Sequence, residues 1–130
     1  MSSRIPAVII GASGYVGGEL LRLIAGHPNF ELAAAVSDSV AGKTIGDVFG
    51  HLATAFPEDT FVAHSDWLDQ VDANSDLALF SAAPHGASAA VIAAAIDACA
   101  QRNINVHVVD SSADFRLSLI HISEPTRLQV

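Results

Sequence analysis

A single cysteine, a single tryptophan and only six Lys and Arg stand in the 130 residues of this chain. One thiol, Cys99, cannot close an internal disulfide, so the fold rests on packing, and the chain suits a reducing compartment such as the cytoplasm. Six basic against 14 acidic residues leave a net charge of −8. That scatter of cations offers no footprint for nucleic-acid phosphates or an anionic membrane surface. Long hydrophobic runs are missing too. The most apolar stretch, residues 89–96, stops at Asp97, far short of a bilayer span. Residues 5–10 lead into a glycine motif rather than a cleavage site, which excludes a signal peptide. The histidines at 27, 51, 64, 85, 107 and 121 show no close His/Cys/carboxylate spacing, so no metal is expected.

What the chain does have is apolar residues: 51% are hydrophobic and 15% charged, a balance that builds a core rather than a disordered coil. One domain of this size buries roughly 65–70% of its unfolded surface, enough to fold without staples. Short β-rich runs alternate with helical ones, the grammar of a parallel sheet with crossover helices. Residues 5–10 read as a strand buried on both faces. From Tyr15 to Ala25, the residues Gly17, Leu20, Leu21 and Ile24 form one helical stripe, with Glu19 and Arg22 on the wet side. Ser13 is the expected N-cap, and Gly26 with Pro28 the stop. Further strands are expected at 32–36, 61–63, 77–81 and 106–109. A short helix is expected at 45–51, a helical turn at 67–71 and an alanine-rich helix at Ser88–Gln101, carrying Val91, Ile92, Ala95, Ile96 and Cys99 on one face. The expected fold is α/β: a Rossmann-type, doubly wound, mainly parallel sheet with flanking helices, forming an incomplete domain.

Gly11-Ala12-Ser13-Gly14-Tyr15-Val16-Gly17 sits between the first strand and the first helix. This G-x-x-G-x-x-G spacing is a relative of the dinucleotide fingerprint. Gly11 permits the tight turn, Gly14 lets the backbone approach a pyrophosphate, and Gly17 lets helix and strand pack closely. The helix N-terminus then offers free N–H groups and a positive dipole end. At the end of the second strand an acid would bind the ribose hydroxyls of NAD, whereas hydroxyls and cations accommodate the 2′-phosphate of NADP. Asp38 argues for NAD, unless it is simply a solvated loop acid. Ser37, Ser39 and Lys43 argue for NADP. The residues alone leave the choice open.

Three segments resemble the N-acetyl-γ-glutamyl-phosphate reductase family of the semialdehyde dehydrogenase superfamily: residues 11–23, the run Ala83-Pro84-His85-Gly86-Ala87-Ser88, and Val109-Asp110-Ser111-Ser112-Ala113-Asp114-Phe115-Arg116-Leu117. Ala41-Gly42-Lys43 adds to the likeness. The resemblance implies NADP-dependent reduction of a small acyl phosphate to a semialdehyde in arginine biosynthesis, by an enzyme that is a homo-oligomer when intact. It implies that Pro84 and His85 lie near the nicotinamide half of the cofactor and that Arg116 holds the substrate's anionic groups. Without it, His85 reads as a capping or surface residue and Arg116 as a surface ion pair. Within the superfamily, the competing reading is an aspartate-semialdehyde dehydrogenase-like fragment, which would share the glycine loop and the chemistry. A different class of reading is a stand-alone NAD(P)-binding module without catalysis.

The departures are as informative. The family's nucleophilic cysteine lies in a P-G-C-Y-P-T-like segment that this sequence lacks, and its acid/base histidine has no match here. Cys99, on an apolar helix face, reads as a packing residue. The expectation is a cofactor-binding domain over residues 1–117, with the substrate and catalytic domain absent. Residues 118–127 resemble a translated sequencing-adapter scar, so 118–130 are expected to be a non-native tail.

Overall fold

The computed structural model describes residues 4–82 and 88–110. Strand β1 is Ile5–Ile10, helix α1 Tyr15–Ala25 and β2 Phe30–Val36. A one-turn helix α2, Ile45–Val48, and a 3-10 turn at Gly50–Leu52 lead to the two-residue strand β3, Phe61–Val62. A second 3-10 turn, Trp67–Gln70, leads to β4, Asp76–Ser81, then α3, Ser88–Gln101, and β5, Asn105–Asp110. The five strands form one sheet in the order β3-β2-β1-β4-β5, every neighbouring pair parallel. The doubly wound fold expected from the alternating pattern is therefore observed. Its order reverses at β1, so the crevice beyond the carboxyl ends of β1 and β4 is the topological switch point.

Side-chain alternation sorts the core onto two faces. Val8 and Ile10 of β1, Leu77 and Leu79 of β4, and Val106 and Val108 of β5 pack with Ile92, Ala95 and Cys99 of α3 and with Trp67. Ala7 and Ile9 face the other way, onto Leu21 and Ile24 of α1 and onto Ile45, Leu52, Phe56 and Phe61. Burying this apolar area is the main stabilising term, at roughly 25 cal/mol per Å².

Several boundaries differ from the sequence expectation, each for a physical reason. β2 starts at Phe30 rather than at 32, because the Ile5 N–H donates to Asn29 O at 2.8 Å and Ile5 then aligns with Phe30. The pairing of β1 with β2 slips between Ala7 and Val8, whose partners are Leu32 and Ala34. Ala33 is the extra residue, and this bulge puts Leu32 on the α1 face while Ala33 and Ala34 both meet the α3 face. The helix expected at 45–51 breaks at Phe49 into an α turn and a 3-10 turn. In α1 the buried stripe is Gly17, Gly18, Leu21 and Ile24, with Leu20 only half-buried. Gly18 lies under the Phe49 ring, where a Cβ would stand 2.7 Å from its Cε1.

Ser13 is not the N-cap. That position is Gly14, which has no side chain to cap with, and Ser13 makes a different bond described below. α3 ends without glycine: Asn103 takes the left-handed conformation at φ 61°, and the Ile104 N–H closes onto Cys99 O at 2.9 Å. Among the described residues no helix is long and apolar enough to cross a membrane.

Candidate functional site

The chain leaves β1 through a turn that glycine makes easily. Gly11 has φ 76°, where a Cβ would crowd the backbone. The N–H groups of Gly11 and Ala12 both donate to Val36 O, at 3.1 and 3.0 Å, tying the turn to the end of β2. The two later glycines do opposite jobs. A Cβ on Gly17 would lie 2.5 Å from Ala12 O, with backbone atoms that have nowhere to go, so Gly17 is required for the helix to approach the turn. A Cβ on Gly14 would meet nothing nearer than Gly11 O at 3.8 Å, and Gly14 is exposed. Internal packing does not demand a glycine there. Its bareness keeps the outer surface of the turn open.

Among the described residues no acceptor meets the N–H groups of Tyr15, Val16 and Gly17. They are the unpaired donors of a helix start, at the positive end of the α1 dipole, and they suit an anion. Tyr15 is 82% exposed, so the side chain stands clear of the core and the backbone does the presenting.

Two strand ends meet at this turn. Ser13 Oγ lies 2.9 Å from Ser37 Oγ, and Ser37 Oγ lies 3.2 Å from Ser39 Oγ. Ser37 is buried, 6% exposed, at the carboxyl end of β2. The structure therefore brings together Ser13 from the glycine turn and the serine pair from the β2 end, residues that the sequence offered as separate candidates. Lys43 follows on the same loop, its N–H bonded to Val40 O and its carbonyl accepting from the Phe61 N–H, with an exposed side chain.

Asp38 is not a free loop acid. Its Oδ1 accepts from the His64 backbone N–H at 2.8 Å, and its Oδ2 lies 3.2 Å from His64 Nδ1. The backbone N–H first, and then the imidazole, hold its carboxyl below the usual carboxylate range. His64 in turn lines an apolar groove of about 500 Å³ with Ile10, Ser65, Trp67 and Leu68 on one side and Ala90, Val91, Ala94, Ala95 and Ala98 of α3 on the other. The sequence reading missed His64 and this groove. The available signal was positional, since residues just beyond the carboxyl ends of neighbouring parallel strands converge.

Cys99 is fully buried among the α3-face residues, as its helical position implied. Burial pushes its thiol up to about 11, against the opposing pull of Arg102. Such a thiol is a poor nucleophile at neutral pH. Pro84, His85 and Arg116 lie outside the described residues, as does the segment 118–130. Among the described residues no cluster of three or more His, Cys, Asp or Glu groups is arranged to hold a metal.

A glycine turn at the switch point, unpaired helix N–H groups and hydroxyls at the β2 end define a nucleotide-binding α/β domain. The family described as semialdehyde dehydrogenase, NAD binding domain, matches residues 6–122, and the chain belongs to it. The match runs past Leu117 and gives no support to a foreign segment starting at 118. An N-acetyl-gamma-glutamyl-phosphate reductase of Acidothermus cellulolyticus is 44% identical over 124 residues, covering 90% of this chain and 30% of the relative. A protein of Haloarcula marismortui named as a LysW-L-2-aminoadipate/LysW-L-glutamate phosphate reductase is 44% identical over 111 residues, covering 85% of this chain and 28% of its own. The chain thus spans about 30% of the length of these curated relatives. The crystal structure of an aspartate semialdehyde dehydrogenase with NADP from Candida albicans matches with a TM-score of 0.65 and 21% identity, over 86% of this chain and 30% of that one. That likeness is one of fold.

Proposed function

We propose that this chain is the NADP-binding portion of an acyl-phosphate reductase of the N-acetyl-γ-glutamyl-phosphate reductase kind. The observation that carries the cofactor reading is the bond from Ser13 of the glycine turn to buried Ser37 at the β2 end. It joins the place for a pyrophosphate to the place for the adenosine ribose. The residues fit the dinucleotide. The first-turn N–H groups of α1 receive the pyrophosphate across the bare Gly14. Ser37, Ser39 and Lys43 face a 2′-phosphate, and the groove beside Trp67 takes the flat adenine ring. By family resemblance Pro84 and His85 lie toward the nicotinamide and Arg116 toward the substrate.

When bound, the dinucleotide supplies a hydride. This chain's own residues bind and orient it; none of them is assigned a catalytic role. Its one thiol, Cys99, is buried and pushed up to about 11, so it does not attack an acyl phosphate. The substrate is a small anionic acyl phosphate. A second reading, a carrier-bound acyl phosphate, rests on the LysW-linked relative, which at 44% is as identical to this chain as the Acidothermus cellulolyticus reductase.

Calorimetric titration of the 130-residue chain tests the cofactor reading. NADP is expected to bind more tightly than NAD, and NAD binding at least as well as NADP would overturn that preference. The same chain is expected to show no phosphate-dependent oxidation of N-acetylglutamate semialdehyde. Measurable turnover would show that Cys99 had been misread.

A further inference from the structure

We infer that His64 sets the dinucleotide preference of this site by holding the Asp38 carboxylate away from the ribose. The inference rests on the NADP reading above. In this fold, an acid at the end of β2 serves NAD by accepting hydrogen bonds from the ribose hydroxyls. Asp38 stands at that place with its side chain 67% exposed, yet both its oxygens are already engaged. Oδ1 accepts from the His64 backbone N–H at 2.8 Å, and Oδ2 lies 3.2 Å from His64 Nδ1. Both contacts come from a single residue just beyond β3, the neighbouring strand.

The division of labour between these contacts matters. The backbone N–H anchors one oxygen whatever side chain residue 64 carries. The imidazole fixes the rotation of the carboxylate about that anchor. Turned onto the β3 end, the two oxygens cannot also be presented together to a ribose diol, although each retains lone pairs. What remains at the β2 end is a run of neutral hydroxyls, exposed Ser39 lying 3.2 Å from buried Ser37 and, through it, linked to Ser13. These can donate to a phosphate. A loose carboxylate at the same place would instead repel it, and such repulsion is how a site rejects the wrong ligand. His64 also lines the apolar groove beside Trp67, so a nucleotide base lodged there lies next to the residue that controls Asp38.

The test is a cycle of variants in the full chain, titrated by calorimetry with NADP and with NAD, with melting curves confirming that each is folded. His64→Leu is expected to lower the ratio of NADP to NAD affinity about tenfold, a coupling of ordinary size. In an Asp38→Ala background the same change is expected to leave the ratio within about twofold, because there is no carboxylate left to hold. His64→Asn, whose amide donates to the same oxygen, is expected to restore most of the preference. Equal weakening of both dinucleotides by His64→Leu would assign the residue a packing role and overturn the inference. So would a shift that persists without Asp38, since the imidazole would then be contacting the cofactor itself. Failure of the parent chain to bind either dinucleotide removes both the cofactor reading and this one, whereas binding with an unmoved ratio removes only the role of His64.

Discussion

On the α1 side of the sheet a close backbone approach at Gly17 joins the packed side chains of Leu21 and Ile24, whereas the α3 side is closed by side chains and keeps a groove of about 500 Å³. Gly17 lets α1 press against Ala12, and Gly18 lets it slide under Phe49. Aromatic rings fill the rest of that side. Phe30 and Phe80 meet edge to face at 5.9 Å, and Phe49 lies 6.4 Å from Phe61. The α3 side depends on branched strand residues and on a helix of small alanines, which pack close to the sheet but leave space toward Trp67. The lesson is that one side is spent on fixing the position of the glycine turn, while the other retains room for a ligand. Interiors tolerate added volume poorly, so the two sides should answer very differently to the same kind of substitution.

The sharpest break would come at Gly17. Gly17→Ala is expected to lower unfolding free energy by about 1–3 kcal/mol despite alanine's better helix propensity, because the new Cβ meets backbone at 2.5 Å. Urea denaturation measures it, and an unchanged midpoint would show that the close approach is not needed. Gly14→Val should do the reverse. Its Cβ meets only Gly11 O at 3.8 Å, so the melting temperature should stay within a few degrees while dinucleotide affinity falls at least about thirtyfold, or ~2 kcal/mol. Ala94, exposed and lining the groove, offers a finer test. Ala94→Leu should leave stability within about 0.5 kcal/mol and weaken dinucleotide binding about tenfold by occupying the space for the base. Unaltered binding would mean that the groove is not used.

The smallest effect concerns Cys99. Its folded-state pKa, raised from 9.0 to about 11, lies above its unfolded value, so folding favours the protonated thiol. The stability this contributes is fully present below pH 9.0 and is lost as pH rises through about 11. Iodoacetamide at pH 8 should accordingly modify the thiol only in denaturant, and modification of the native chain would place Cys99 nearer solvent than its packing shows.

Much of this architecture was legible in the order of residues because its causes are local. The apolar run at Ile5–Ile10, the close helix packing at Gly17 and the small-residue helix at Ser88–Gln101 each read correctly. The tight turn at Gly11 and the buried Cys99 did as well. β2 was harder. Phe-Glu-Leu-Ala-Ala-Ala-Val has no alternation from which to place a bulge, and the slip at Ala33 arises from pairing with β1. Ser13 misled for a related reason. A serine just before a helix start is a good cap by local rules, but Ser13 lies two places before Tyr15, and its hydroxyl meets that of Ser37 just beyond β2 instead.

The sequence by itself therefore determined the strands and helices, the parallel sheet they make and the glycine turn at its centre, since periodicity and backbone freedom are properties of neighbours along the chain. Only the tertiary structure decided what surrounds that turn. Ser13 meets Ser37 across 24 positions, and Asp38 meets His64 across 26. Parallel strands deliver such distant residues to the same end of the sheet, and the contacts between them depend on register and on how the strands twist, which no single segment encodes.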